Sequence, residues 1–545
     1  MTAGVAEAGP APPPRLAWTL GRLDPLLPAA VVLVLCGLFQ LRTCAKLVLA
    51  DYSNLAGEEY NVVYSVERLI GEGVLYTDPA RPPFAVVQYG PLYYWAGRGL
   101  AGLAGLHAGD ALAITRLLRG FSFACLLAQI GVVAVILRRH LGAPWRVVVI
   151  AVVALLSFQT PWCLAGRPDS LEVTLMIAST LLGLEAARGV EGGRPAAWLA
   201  ASLVCGALAI LTKQSGFVAG LIVLPPALVA LGLRRTVIAC TAAAAAAAPI
   251  AAGLLLASGP AIRENVIGGV DNGLSLRTAM QVTYTPYLRL MAAPAAGAIL
   301  AAVAALAARR RGPGGRAASA VGWGTLVALV LATLLGLKYG SFVNYYNLFN
   351  AFIVLSIGAF LAASPGPEAR GWRGLVALFL VLFLPAKAYG DLNSRPAPTR
   401  PYAECAEVAG RLRELLGTGP GGPMFFSQDP RLDCLLPDRA AAPGKLVSAI
   451  LYRRGVADYS NFARAVRDGA VRYCVTLDDQ PANLTESFAR FARGETLEVD
   501  PDRPTFLGAS FDGFRLLFRV GPHAVYESPQ NGNRAGSSDM GRRSP

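Results

Sequence analysis

The sequence predicts an all-α multi-pass membrane protein with a small soluble α/β domain at its C-terminal end. Of 545 residues, 54% are hydrophobic and only 15% are charged, whereas soluble globular chains carry about 25% charged residues. The apolar residues gather into stretches long enough to span a bilayer, which takes about 20 residues. From about residue 390 charges become frequent and helix-like and strand-like patterns alternate in short runs. This composition excludes an ordinary soluble enzyme, and it excludes a disordered chain, which is poor in apolar residues.

After a Pro/Ala-rich cytoplasmic tail (1–25), the first apolar stretch covers roughly 26–50. No small-residue cleavage site follows it, so it is expected to be a retained helix and not a cleaved leader. Further spans are expected at 112–137, 145–163, 170–187, 195–212, 215–233, 236–257, 285–308, 319–337, 345–363 and 372–389, giving about eleven transmembrane helices in a domain of 26–389. A long first outer loop (51–111) interrupts them. In the segment 390–528, helices are expected at 402–416 and 457–468. Strands are expected at 423–427 and 471–477, and a closing hairpin at 514–520 and 524–527 turns around Gly521-Pro522. The polar tail 529–545 is expected to be disordered.

Charge sets the orientation. With the N-terminus inside, the inner connections hold Arg138-Arg139, Arg188 and Arg194, Arg234-Arg235, Arg309-Arg310-Arg311 with Arg316, and Arg370 with Arg373. The first outer connection instead holds Asp51, Glu58, Glu59, Glu67, Glu72 and Asp78 against Arg68 and Arg81. This is the positive-inside asymmetry, and it accounts for the net charge of +14 without a nucleic-acid partner. An odd number of spans then puts the C-terminal domain outside. The Arg-, Ala-, Gly- and Pro-rich composition suggests a GC-rich bacterial genome, so the expected location is the bacterial inner membrane, with the C-terminal domain periplasmic. Nine cysteines without CxxC spacing and three histidines point to neither a zinc site nor histidine chemistry. Cys405, Cys434 and Cys474 in the outer domain allow at most one disulfide. Asn483-Leu484-Thr485 fits a glycosylation sequon, a short pattern that is common by chance.

The first outer loop is far longer than ordinary connections, and such loops usually carry function. Val62, Val63, Val66, Leu69 and Ile70 recur at helical spacing, with Asn61, Glu67, Arg68 and Glu72 on the other faces. This pattern predicts an amphipathic helix lying on the membrane surface. Gly90-Pro91 opens a second short helix with Tyr93, Tyr94 and Trp95. Glu58 and Glu59 stand at the N-terminal end of the first helix, where the dipole favours a carboxylate. They read either as solvated helix-end residues or as a general base at the membrane boundary.

Gly57-Glu58-Glu59, Arg68-Leu69-Ile70, Leu75-Tyr76 and Tyr89-Gly90-Pro91-Leu92-Tyr93-Tyr94 resemble the first periplasmic loop of GT-C fold, polyprenyl-phosphate-dependent glycosyltransferases. This superfamily includes the protein O-mannosyltransferases and the lipid A aminoarabinose transferases. Gly166-Arg167-Pro168-Asp169-Ser170 resembles the family's Arg-Pro-Asp element, and Leu211-Thr212-Lys213-Gln214-Ser215-Gly216 its Lys-containing element. Lys338-Tyr339-Gly340-Ser341 with Asn344-Tyr345-Tyr346 resembles its Tyr-rich element. The resemblance spans roughly 26–390. It implies a catalytic base at the position of Glu58, with Glu59 and Asp51 as alternatives because Glu stands where the family usually has Asp.

The resemblance also implies a polyprenyl-phosphate sugar donor, membrane lipids around the chain, and a lipid, glycan or protein acceptor. Arg167, Lys213 and Lys338 fall at outer helix ends, where cations suit a lipid-linked phosphate; each alone reads more readily as a snorkelling anchor, but the set, all on the side of the acidic loop, reads as a phosphate site. Asp169 is a partner for Arg167 or a second acidic site residue. Arg263, with Glu264, Asp271 and Asn272, lies in a Gly-rich outer loop that suits a gate. Tyr89, Tyr345 and Tyr346 are further candidates. The first loop has no Asp-x-Asp triplet, so no cofactor is implied and a divalent metal is left open. The competing reading is a multi-pass transporter or lipid flippase, which would show repeats and charges near the midplane.

Overall fold

The computed structural model describes residues 26–50, 58–160, 162–189, 194–308, 313–338, 341–363, 368–393, 402–417, 422–477, 505–511 and 513–529. Asp51, the Arg309–Arg311 cluster, the sequon at Asn483 and the tail from 530 onward lie outside the described residues.

Eight described helices are long and apolar enough to cross a membrane: Leu26–Leu49, Ala111–His140, Asp169–Arg188, Pro195–Thr212, Gln214–Ala257, Leu276–Ala307, Gly314–Gly336 and Val343–Ala363. Trp145–Gln159 and Gly374–Lys387 are shorter apolar helices. The expected spans 215–233 and 236–257 form one element. A straight helix over its 44 residues would be roughly 65 Å long, about twice the hydrocarbon thickness. Gly232, at φ 75° and ψ 166°, interrupts it just before Arg234-Arg235. Only glycine takes that conformation without steric cost.

Helix Asn347–Ala363 sits at the centre of the bundle, and its residues from Asn347 to Ser356 are all buried. A helix that is apolar all round is stable only when covered on every side. Phe352 from this helix fills the space over Gly324, where an added Cβ would lie 2.3 Å from the ring. The first helix is one-sided: Leu26, Ala29, Ala30 and Leu33 are buried, whereas Val31, Leu35 and Leu38 face outward as lipid-facing residues do.

The C-terminal part is built on a four-stranded mixed sheet, with β1 (Met424–Ser427), β2 (Val471–Leu477), β5 (Arg515–Val520) and β6 (His523–Glu527) in the order β1-β2-β6-β5. β1 and β2 are parallel, while β6 is antiparallel to both β2 and β5. A small antiparallel pair, β3 (Thr505–Phe506) and β4 (Ala509–Ser510), stands beside it. The expected helix at 402–416 and strand at 471–477 occur with those bounds, and the helix expected at 457–468 is shorter, Ser460–Arg467. Helices Pro430–Leu435 and Lys445–Arg453 were not expected. All nine cysteines are free thiols, and Cys405, Cys434 and Cys474 are buried as small apolar residues.

The first long loop, outer by the charge asymmetry, departs from expectation. Helix Glu59–Gly71 does not lie bare on a membrane surface, because every residue from Glu59 to Leu69 is buried. Tyr60, Val63, Tyr64 and Leu69 share one core with Ile114 and Leu118 below and with Cys405, Val408, Leu432, Phe425 and Val525 of the C-terminal part above. The polar residues of the helix find protein partners in place of water. Asn61 Nδ2 donates to the Val86 carbonyl (3.0 Å), Glu67 accepts from the Gly109 N–H (2.6 Å), and Arg68 pairs with Glu72. Periodicity identified the two faces, but not what would cover the polar one.

Candidate functional site

Glu58 and Glu59 are adjacent but point to different places, since Glu58 is the N-cap, with its backbone outside the helical range (φ −86°, ψ 43°), and Glu59 opens the helix. Glu59 is fully buried and bidentate with Arg119, its Oε1 2.8 Å from Nε and its Oε2 2.7 Å from Nη2. Oε1 also accepts the Gly166 N–H at 2.6 Å, and Arg119 Nη1 donates to the Ala50 carbonyl at 2.8 Å. This pair ties the outer loop to helix Ala111–Val135 and to the connector that carries Arg167. Glu58 lines a cavity of about 50 Å³ together with Tyr89, Arg167, Lys213, Lys338 and Tyr345. Its carboxylate has no hydrogen-bond or ion-pair partner among the described residues. Burial raises its pKa, opposed by the charges of Arg167 and Lys445. The helix dipole alone would have favoured easy ionisation, so the site makes Glu58 a stronger base than its position on the helix suggests.

Asp169, at the start of helix Asp169–Arg188, organises the cations. Its Oδ1 is 2.8 Å from Lys213 Nζ and accepts from Asn344 Nδ2 at 2.6 Å, while its Oδ2 is 3.4 Å from Arg167 Nε. Arg167 Nη2 also donates to the Tyr89 hydroxyl at 2.8 Å. Lys213 lies over the Tyr345 ring at 4.5 Å and the Tyr89 ring at 5.8 Å. Burial works against the charges of Arg167 and Lys213, but Asp169 and the other groups around them more than offset it, and both are held more firmly protonated than usual. Lys338 differs: it has no carboxylate within ion-pair distance among the described residues. Burial, reinforced by the Lys213 charge and opposed by Asp271, lowers its pKa to about 8.

The local backbone is fitted closely around these residues. An added Cβ at Gly90 would lie 2.2 Å from the Leu211 carbonyl oxygen, two residues before Lys213. The Gly90-Pro91 turn can therefore press against the end of helix Pro195–Thr212. Gln214 Nε2 donates to the carbonyls of Gln88 (2.6 Å) and Val266 (2.8 Å), and Asn265 bridges Val87 N–H and the Thr77 carbonyl. The Gly-rich loop is thus pinned to the first outer loop, and Asn272 reaches the cavity wall. Arg263 and Glu264 are exposed and do not line the cavity. Tyr346 points elsewhere, stacked on Tyr287 at 3.9 Å between ring centres.

Several participants were not singled out from sequence. Arg119 carried a usable signal, a charge within an apolar stretch, which generally needs a partner. Asn344 was part of the Tyr-rich element but had no assigned role. Val447 and Ile450, from helix Lys445–Arg453 of the C-terminal part, roof the cavity. A narrow continuation shares Lys213, Asn344 and Tyr345 and runs between apolar residues including Val173, Met176, Val218 and Leu331. Among the described residues, the clustered metal-ligand side chains are Cys405, Asp429 and His523, inside the C-terminal part. Asp429 there is already bidentate with Arg431 and 2.9 Å from His523 Nε2, so the cluster reads as a buried hydrogen-bond network.

No protein-family model matches the chain, and no curated protein sequence matches it. Solved structures do. ArnT from Cupriavidus metallidurans bound to undecaprenyl phosphate aligns at 16% identity over 91% of this chain and 97% of that one, with a TM-score of 0.55. Its apo state aligns at 15% identity over 90% and 97%, with a TM-score of 0.54. The Archaeoglobus fulgidus oligosaccharyltransferase in its apo form aligns at 14% over 86% and 71%, also at 0.54. At such identities the likeness concerns the fold, which is the GT-C membrane fold that the loop motifs implied.

Proposed function

We propose that this membrane protein is a glycosyltransferase that moves a sugar from a polyprenyl-phosphate donor to an acceptor at the outer, periplasmic face of a bacterial inner membrane. The observation that carries the reading is the convergence of Glu58, Arg167, Lys213 and Lys338 on one cavity at the outer helix ends. Glu58 takes the proton of the acceptor hydroxyl. The acceptor oxygen forms a bond to the anomeric carbon from the side opposite the phosphate, inverting it. The bond from that carbon to the phosphate oxygen breaks, and its electron pair leaves on the phosphate.

Lys338, without an acid partner among the described residues, and the Arg167 guanidinium beside it in the cavity lining stabilise that leaving charge. A phosphate leaving group needs no general acid. Lys213, held between Asp169 and two tyrosine rings, positions the site. The apolar continuation past Val173 and Met176 suits the first isoprene units of the donor. A sugar phosphate needs several times the volume of the cavity, since ligand pockets measure about 300–1,000 Å³. Donor binding therefore requires the roof formed by Lys445–Arg453 to shift.

The same geometry disfavours a transporter or flippase, for which the charges would sit near mid-bilayer and not at helix ends. The test is transfer by the purified protein from a panel of synthetic polyprenyl-phosphate sugars, with donor binding measured alongside. Transfer that disappears in Glu58→Gln supports the base assignment. Transfer that survives keeps the enzyme class and moves the base to another carboxylate. Absence of both binding and transfer favours the transporter.

A further inference from the structure

A second cavity lies at the other ends of the same helices. It measures about 770 Å³ and is lined by Arg139, His140, Glu185, Arg188, Trp198 and Arg316, with apolar Leu141, Leu184 and Ala317 beside them. Helix Asp169–Arg188 begins at the outer cavity and ends here, roughly 28 Å away at 1.5 Å per residue. That separation is the hydrocarbon thickness of a bilayer, so this cavity opens at the opposite membrane surface.

Among the described residues, its lining is rich in basic side chains. Glu185 is the single carboxylate of the described residues in that lining. It is shared by Arg139, at 3.0 Å, and His140, at 3.2 Å. Arg188 reaches only the main-chain carbonyl of Arg139, at 3.5 Å, and has no carboxylate within ion-pair distance among the described residues. Arg316 enters from the start of helix Pro313–Gly336. Three guanidiniums and one carboxylate of the described residues thus line a concave site between helices. Trp198 stands half-exposed at its edge, as interfacial tryptophans do. Solvated anchors of the positive-inside kind need no shared cavity, whereas a basic pocket between membrane helices is a recurrent form of lipid-headgroup site.

We propose that this cavity binds the phosphate headgroup of an anionic lipid, held by Arg188 and Arg316, with the acyl or isoprenoid chain leaving past Leu184 and Ala317. Guanidinium forks match phosphate oxygens in pairs, and the volume suits a headgroup. The site is separate from the outer cavity and does not depend on the transfer reaction proposed there.

Native mass spectrometry of the full-length protein, released from mixed micelles, reads the bound lipid directly. Cardiolipin, phosphatidylglycerol, phosphatidylcholine, undecaprenyl monophosphate and inorganic phosphate are offered in turn. Anionic lipids are expected to be retained several-fold more than phosphatidylcholine. The Arg188→Ala/Arg316→Ala variant is expected to lose that preference, and Arg188→Lys/Arg316→Lys to keep most of it. The lipid whose retention falls in the Ala variant identifies the source, a glycerophospholipid or a polyprenyl phosphate. Displacement by inorganic phosphate would support recognition through the phosphate group. Equal retention by wild type and a folded Ala variant, or no preference for anionic lipids, overturns the proposal. If the double variant does not fold, Arg188→Gln alone gives the same reading.

Discussion

At the outer end of the bundle, Arg167 and Lys213 share the carboxylate of Asp169, and Asn344 and the rings of Tyr89 and Tyr345 fix their remaining faces. At the opposite end, Arg139, Arg188 and Arg316 stand around Glu185, in a cavity about fifteen times larger (770 against 50 Å³). The two ends are joined by the same helices, and each cavity is lined by three basic side chains, Arg167, Lys213 and Lys338 at one end and Arg139, Arg188 and Arg316 at the other. The difference shows that cation count says little about a site. A paired, buried cation is fixed by its partners and holds its charge through a network. An exposed arginine at a helix end retains its mobility and can follow a ligand.

Four measurements would break or sharpen this comparison. The largest expected effect is on chemistry at the outer end. Glu58→Gln should slow transfer by about 10²–10⁴-fold, the usual contribution of a positioned general base, with thermal unfolding unchanged. A change below tenfold would remove Glu58 from the reaction.

Next is stability. Arg119→Ala leaves the Glu59 carboxylate buried without its bidentate partner, and breaking such a pair costs about 3–5 kcal/mol. Thermal unfolding in detergent should show a clear fall in Tm. By contrast, the exposed Arg411–Glu407 pair should cost under about 1 kcal/mol when broken. Equal losses at the two pairs would contradict the burial argument.

Third, Lys338→Met should weaken donor binding by roughly 10–100-fold, the value of one charged hydrogen bond, measured as donor Kd with a non-transferable analogue.

The smallest effect is a shift in a pH profile. Glu58 must be deprotonated to act, so the rate rises with pH through its raised pKa. Lys338 must be protonated, so the rate falls as pH passes about 8. Lys338→Arg keeps its proton at any working pH and should move the alkaline limb upward by at least about one unit. An unmoved limb would assign it to another group.

Local pattern carried much of this structure. The bilayer-length apolar runs are helices, and Val471–Leu477, with its apolar alternation, is a strand. The Gly90-Pro91 pair begins a helix, with Pro at its first position. Gly232, unremarked in the sequence, divides an apolar run that composition alone had divided beside Arg234-Arg235. Among the candidate residues, the fold brings Glu58, Tyr89, Arg167, Asp169, Lys213, Lys338 and Tyr345 into one neighbourhood, and it leaves Arg263 and Tyr346 outside. Nothing local separates Arg116 from Arg119, three residues apart on one helix. The first is exposed and the second is fully buried against Glu59.

The sequence by itself determined the membrane class, the helical and strand segments, and the charge bias between the two faces, because hydrophobic length, periodicity and charge placement act over a few residues to a few turns. The tertiary structure alone decided which of two adjacent glutamates closes an ion pair and which faces a cavity. It also decided that the helix Glu59–Gly71 is covered by the C-terminal part, and that Lys445–Arg453 roofs the outer site. These outcomes depend on which surfaces meet across separations of 60 to nearly 400 residues. Burial and long-range pairing set them, and no local pattern encodes either.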